Sequence, residues 1–293
     1  MRKINLIKPI GYCLGVVQAI EKSIKIKQAH LNQRVFIYGL LVHNEEVIKY
    51  LNDQNLITIN DYEVAFDQFI SLLRKEDIVI FSAHGHKEEY EKKLKQKEIK
   101  FYDTTCVNVS KNIELIKQYS NRGVIYIGKK NHKETIASLS VSPNVILYDV
   151  VEGLDFKLVK YDSPVVINQT TLSFIEIEDI HREIITQIPN ALLLDEVCSA
   201  TRIRQEKIKD IDDQCDLIIV IGSNKSSNTQ KLYDIAKSIH SNKMVIKIQN
   251  KEELLLYNFI DKINICILSG TSTPLSIINE VKYFLEEYDE KGI

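Results

Sequence analysis

The sequence predicts an α/β protein of open parallel sheets, and three observations carry that prediction. Apolar runs rich in β-branched residues recur along the chain, each ending in a polar loop. The runs are continuous rather than alternating, as in parallel strands covered on both faces. Helical patterns separate them, and a repeated strand–helix order defines open α/β sheets. Ligands of such sheets sit beyond the carboxyl ends of the strands, where the polar loops fall.

In chain order, VVQAIEKSIKIKQAH (16–30) reads as a helix, with apolar residues at helical spacing. VFIYG (35–39) and DIVIFSAHG (77–85) read as buried strands running into loops. In KEEYEKKLKQKEIK (87–100), Tyr90 and Leu94 share a helical face and the charges alternate, which predicts a packed amphipathic helix. VSKNIELIKQYS (109–120) is the next helix, followed by strands GVIYIG (123–128) and SPVVINQTT (163–171). RIRQEKIKDI (202–211) is helical, and DLIIVIGSN (216–224) and NICILSGTS (264–272) are strands. The acidic end EEYDEKGI (286–293) is expected to fray.

The chain has 293 residues, 44% hydrophobic and 27% charged, with 10 Gly and 5 Pro, which excludes a long disordered or collagenous segment. With 38 Lys and Arg against 40 Asp and Glu, the net formal charge is -2, so nucleic acid is not an expected partner. Five cysteines at wide spacing do not form a disulfide framework, and a reducing, cytoplasmic setting is expected. The start MRKINLIKPIGYC has no apolar stretch of signal-peptide length, because Lys8 and Pro9 interrupt it. No run is long and apolar enough to span a membrane, so no membrane association is expected.

Spacing adds a stronger pattern. Cys13 is followed 30 residues later by His43 and 41 after that by His84. Cys106 is followed after 26 by His132 and after 38 more by Thr170; Cys198 is followed after 28 by Ser226 and after 46 more by Ser272. The cysteines themselves are 93 and 92 residues apart. A cysteine opening a helix, a strand ending in a polar loop and a second such strand thus recur three times, as in a repeat architecture. Three modules are expected, over residues 1–97, 98–192 and 193–293. Chance periodicity among ordinary strand–loop junctions is the competing account.

All three cysteines precede a helix, where unpaired amides favour negative charge and lower a thiol pKa. Brought together, three such thiolates suit a [4Fe–4S] cluster with one open iron, although soft ligands also suit zinc or copper and buried free cysteines are common. Cys215 and Cys266, beside or within apolar strands, read as core residues. The loops holding His43, His84 and His86, His132 and Glu134, Thr170 and Thr171, Ser226, Ser227 and Asn228, and Thr271, Ser272 and Thr273 suit a phosphate or diphosphate. Any one of them also reads as a plain turn or cap; their force lies in six falling at equivalent places. Glu134 suits a proton donor held neutral beside an anion and a metal, with Thr170 orienting a hydroxyl. Taken alone, Glu134 reads better as a solvated first-turn residue favoured by the helix dipole.

In order, GYCLGV, VHNEEV, SAHG, DTTC, NHKE, NQTTLS, CSATRIRQE, GSNKSSN and GTSTP span residues 11 to 274. Together they closely resemble the motifs of the 4-hydroxy-3-methylbut-2-enyl diphosphate reductase family of the non-mevalonate isoprenoid pathway. The resemblance implies three pseudo-symmetric modules arranged as a trefoil around one [4Fe–4S] cluster per chain. It implies Cys13, Cys106 and Cys198 as its ligands, with one iron lacking a protein ligand. The implied substrate-binding set is His43, His84, His132, Thr170, Ser226, Ser227, Asn228 and Ser272. The implied catalytic set is Glu134, Thr170 and His132, with Glu134 delivering a proton. The implied reaction removes an allylic hydroxyl with two electrons and protons, giving isopentenyl and dimethylallyl diphosphate, with the open iron as Lewis acid. A ferredoxin or flavodoxin type protein is the implied electron donor, and the chain is compatible with a monomer or a weak homodimer.

Some positions depart from the pattern. The family usually has GHPEVEG where this chain has NHKETIA, so Lys133 replaces a proline and the following acid and glycine are absent. That leaves the rigidity and charge of the loop open. Ile10 stands where an arginine is common, Val107 where a proline follows the second cysteine, and Asn224 and Lys225 are in reversed order from one common version. The altered loop motivates an alternative, a divergent Fe–S phosphometabolite-binding or redox-sensing protein without turnover. An Fe–S hydro-lyase, which needs no external reductant, and a structural zinc protein are further alternatives.

Overall fold

The computed structural model describes residues 2–194 and 197–290. The chain enters on β1 (Lys3–Leu6) and passes Cys13 into α1 (Leu14–Ala29). Then come β2 (Val35–Tyr38), α2 (Glu45–Asp53), β3 (Ile57–Ile59), α3 (Phe66–Ser71), β4 (Ile78–Phe81), α4 (Glu88–Gln96) and β5 (Lys100–Asp103). The second stretch is α5 (Val107–Tyr119), β6 (Val124–Gly128), α6 (Lys133–Leu139), β7 (Val145–Asp149), β8 (Val165–Asn168), α7 (Phe174–Gln187) and β9 (Leu192–Leu193). The third is α8 (Ser199–Ile208), β10 (Leu217–Ile221), α9 (Ser227–Ile239), β11 (Met244–Ile248), β12 (Asn264–Ser269) and α10 (Leu275–Glu290).

The strands form three four-stranded sheets, ordered β3-β2-β4-β5, β7-β6-β8-β9 and β11-β10-β12-β1. Every pairing is parallel. The expected α/β class with three parallel modules is therefore what the chain adopts. The three orders are one pattern, with the strand just before each cysteine in the fourth place. For Cys106 that strand is β5 and for Cys198 it is β9; for Cys13 it is β1, which lies beside β12 from the far end of the chain.

The two central strands of each sheet explain the continuous apolar runs. VFIY, IVIF, VIYIG, VVIN and LIIVI are buried at every position. Alternate side chains of β10 enter separate cores: Leu217, Ile219 and Ile221 pack with Ile278, Val281 and Leu285 of α10. Ile218 and Val220 pack with Leu232, Ile235 and Ala236 of α9. Cys215 and Cys266 belong to that second core, as expected of small apolar thiols. Burying each such aliphatic side chain stabilises the fold by about 1.5–3 kcal/mol, which is why neither face can be polar.

By contacts the chain forms two compact units, residues 1–14, 43–47 and 198–293 in one and residues 15–42 and 48–197 in the other. The run 87–100 corrects one expectation, since its helix ends at Gln96 and Glu98, at φ 56, turns the chain into β5. Of the end expected to fray, α10 continues to Glu290 and residues 291–293 lie outside the described ones. No helix among the described residues is long and apolar enough to cross a membrane.

Candidate functional site

The six polar loops all follow central strands: β2, β4, β6, β8, β10 and β12. In the unit of residues 15–42 and 48–197, Cys106 is the N-cap of α5. Its backbone N–H donates to Ala83 O at 3.0 Å, which sets the thiol beside the His84 loop. Gly85 has φ +85, and a Cβ there would lie 3.2 Å from Ala137 Cβ and 3.3 Å from Val109 Cγ1. The loop can pass this close to α5 and α6 only without a side chain. Cys106 also lines an open groove of about 560 Å³ with Gly15, Lys22, Lys25, Thr104 and Ser110.

His132 caps α6, its Nδ1 accepting from Glu134 N–H at 3.3 Å, so the neutral ring carries its proton on Nε2. The His84 and His132 rings stand edge to face, 6.1 Å apart. His86 plays a different part: it stacks on Phe81 at 3.7 Å and bonds Glu91 at 3.1 Å, which makes it a packing residue.

Glu134 is not the solvated residue that its pattern alone suggests. It is 2% exposed, because α6 turns its first-turn face inward with Thr135, Ala137 and Ser138. Four donors from three other elements reach its carboxyl. Thr170 N–H donates to Oε1 at 2.9 Å and Thr170 Oγ1 to Oε2 at 2.8 Å. Tyr126 Oη donates to Oε1 at 3.2 Å and Asn112 Nδ2 at 3.5 Å. Burial pushes the carboxyl up from its ordinary 4.5 to about 7, and the hydrogen bonds from Thr170, Tyr126 and Asn112 only partly offset this. A group so placed exchanges a proton near neutral pH.

Lys133, the residue in place of a proline, is anchored rather than loose. Its Nζ pairs with Asp61 Oδ2 at 2.7 Å, with the two side chains 17% and 14% exposed. It also sits 3.8 Å over the Tyr62 ring. The ion pair fixes the first turn of α6 where ring geometry would otherwise do so.

In the unit of residues 1–14, 43–47 and 198–293, Cys198 is the N-cap of α8. Cys13 N–H donates to Thr271 O at 2.9 Å. Ser226 caps α9, accepting from Thr229 N–H at 3.2 Å. Asn228 Oδ1 accepts from Thr271 N–H at 3.1 Å, and its Nδ2 donates to Thr201 Oγ1 at 3.3 Å. Ser272 Oγ donates to His43 O at 3.2 Å. Cys13, His43, Asn228 and Ser272 are therefore joined through the loop after β12. Ser226 does act as the plain helix cap that such a loop allows, while Ser227 opens α9, whose first-turn amides suit an anion.

Among the described residues, no group of three or more His, Cys, Asp or Glu side chains is gathered as for a metal ion. Each of the three cysteines stands half-buried at its own helix start. Their chemistry fits a soft metal group, since sulfur ligands suit such a group and a helix start favours the negative charge that a bound ligand carries. Arg204, missed by the sequence reading, fits the same group: it is buried beside Cys13 with its Nε lacking a partner, a donor suited to an anionic centre. Asn112 and Tyr126 are also missed. Their signals are faint, an amide on the buried face of α5 and a lone hydroxyl inside an apolar strand.

Three parallel α/β modules with polar loops at their strand ends and an inward carboxyl poised near neutrality define an α/β enzyme class. A family profile described as LytB protein matches residues 4–286, and the chain belongs to that family. A relative from Malacoplasma penetrans, 35% identical over 97% of both chains, is named 4-hydroxy-3-methylbut-2-enyl diphosphate reductase. One from Halalkalibacterium halodurans with the same name is 32% identical, over 97% of this chain and 90% of its own. The solved structure of the E-1-hydroxy-2-methyl-but-2-enyl-4-diphosphate reductase from Plasmodium falciparum superimposes with a TM-score of 0.84 at 27% identity, covering 97% of this chain and 87% of that one. The chain is an oxidoreductase of this family, with the family's three-module fold.

Proposed function

We propose that this protein is a cytoplasmic reductase that converts 4-hydroxy-3-methylbut-2-enyl diphosphate to isopentenyl diphosphate and dimethylallyl diphosphate. The C–O bond of the allylic alcohol breaks, its oxygen leaves as water and a C–H bond forms, consuming two electrons and two protons. A ferredoxin or flavodoxin type carrier supplies the electrons to a monomer or weak homodimer. Cys13, Cys106 and Cys198 would hold a [4Fe–4S] cluster, one iron of which has no protein ligand. When bound, that cluster supplies electrons and a Lewis-acidic iron.

The chain's own residues do the rest. His43, His84, His132, Ser226, Ser227, Asn228 and Ser272 bind the diphosphate, so that energy from the unreactive end of the substrate orients the reacting end. Thr170 holds the substrate hydroxyl, and its Oγ1, 2.8 Å from Glu134 Oε2, links that hydroxyl to the acid. His132 sets the first turn of α6 and with it the carboxyl. Glu134 gives its proton to the departing oxygen directly, through Thr170 or through the substrate diphosphate.

The single observation that carries this reading is Glu134, buried, four times hydrogen-bonded and poised near pH 7. The test is strictly anaerobic turnover with a reduced one-electron donor, alongside iron and sulfide analysis, for wild type, Glu134→Gln and Cys106→Ser. Five-carbon diphosphate products from wild type, largely lost in both variants, are expected. A wild-type chain with a full cluster, bound substrate and a donor proven on a control enzyme, yet no product, would refute the reductase reading.

A further inference from the structure

Arg204 lies on α8, six residues after Cys198, and is only 3% exposed. Its Nη1 donates to Ser269 O at 2.9 Å and to Ser269 Oγ at 3.2 Å, and its Nη2 to Gly11 O at 2.6 Å. Gly11 N–H returns to Ser269 Oγ at 2.8 Å. The guanidinium therefore pins the turn that precedes Cys13 to the end of β12. Gly11 cannot yield there, with φ +81 and a would-be Cβ 2.8 Å from Leu275 Cδ2.

Mechanical pinning does not need a charge, and this residue carries one under costly conditions. All its acceptors are neutral, two carbonyls and a hydroxyl, and no carboxylate among the described residues pairs with it. Its Nε is buried without a partner. A cation held this way is unfavourable unless an anion faces it. Burial works against the charged form of Arg204, and its guanidinium lies beside Cys13, two residues beyond the Gly11 carbonyl that it binds.

We infer that Arg204 is the counter-cation of the Cys13 thiolate and of the metal group on it, a positioning residue that also makes that group easier to reduce. This rests on the cluster assignment made above. Reduction adds negative charge, so a buried cation beside Cys13 stabilises the reduced form more than the oxidised one.

The experiment is an anaerobic redox titration, followed by electron paramagnetic resonance, of the loaded wild type, Arg204→Gln and Arg204→Lys, with iron and sulfide counted in each. Arg204→Gln is expected to keep its iron and sulfide while its reduction becomes about tenfold less favourable, a midpoint about 59 mV lower for one electron. Arg204→Lys, which keeps the charge, is expected to stay within about threefold of wild type, or about 30 mV. Turnover of Arg204→Gln should recover when a lower-potential reductant replaces the carrier protein. A fully loaded Arg204→Gln with the wild-type midpoint would overturn the inference and leave Arg204 a structural pin. If Arg204→Gln does not load, Arg204→Lys decides: loading with the wild-type midpoint upholds the charge, and failure to load overturns it in favour of shape alone. A wild-type chain that takes up no iron or sulfide removes the cluster assignment itself, an outcome distinct from any variant result.

Discussion

Replacing Glu134 with glutamine keeps the side chain's shape and removes its titration. In the folded chain the carboxyl titrates at about 7 against an ordinary 4.5, because burial disfavours its charge. Between those values the folded chain keeps a proton that the unfolded chain has lost. The stability this contributes is fully present below about pH 4.5, declines as pH rises towards 7 and is gone above it. At about 1.4 kcal/mol per pH unit, the decline comes to about 3–4 kcal/mol. The variant's altered bonds to Thr170 and Tyr126 shift its stability by an amount that does not depend on pH. The slope of the difference, not its offset, therefore reports Glu134. Thermal midpoints of wild type and Glu134→Gln at matched cluster content, from pH 4.5 to 8, should diverge by roughly 5–10 °C in favour of the variant as pH rises. Parallel curves across that window would show that the carboxyl ionises freely when folded, and the proton-donor reading would lose its physical basis.

Three other outcomes are expected. Turnover at saturating substrate should fall as pH rises through about 7, because the donor form of Glu134 is then lost; a flat profile from pH 6 to 8.5 would contradict this. Thr170→Val removes the Oγ1 donor that stabilises the ionised carboxylate, so the pH window of declining stability should extend upward, and an unmoved window would count against the bond. Lys133→Met strands the Asp61 carboxylate, whose Oδ1 already lacks a partner, and should cost about 1–3 kcal/mol. Adding Asp61→Asn should recover part of that loss in a double-mutant cycle, and strictly additive losses would argue against the pair.

The central strands were legible because both their faces are dry, so every position had to be apolar. The edge strands were not: β3 has three residues and β9 two, and each is partly exposed. Nor could any local window reveal that residues 3–6 pair with residues 264–267. The helix-start cysteines and strand-end loops were readable from spacing, since each landmark closes a local strand or opens a local helix. Glu134 was misleading on its own because a helix dipole acts within one turn, whereas its burial is imposed by Asn112, Tyr126 and Thr170. Arg204 hid in RIRQEK, where a charge run reads as a wet surface; only the packing of Gly11 and Ser269 around it says otherwise.

The place of β1 beside β12 has a consequence for how the chain is made. As the polypeptide leaves the ribosome, the first two sheets can complete themselves from neighbouring sequence, each strand meeting its partners soon after it emerges. The third cannot. Its fourth strand is synthesised long before its partner and waits, unpaired, until Asn264–Ile267 arrives to receive it, while Arg2 waits for the carbonyls of Phe259, Ile260, Lys262 and Leu285. A nascent chain that stalls late therefore betrays its incompleteness at β1, where a bare strand and the cysteine after it remain within reach of proteases and chaperones until the final sheet closes.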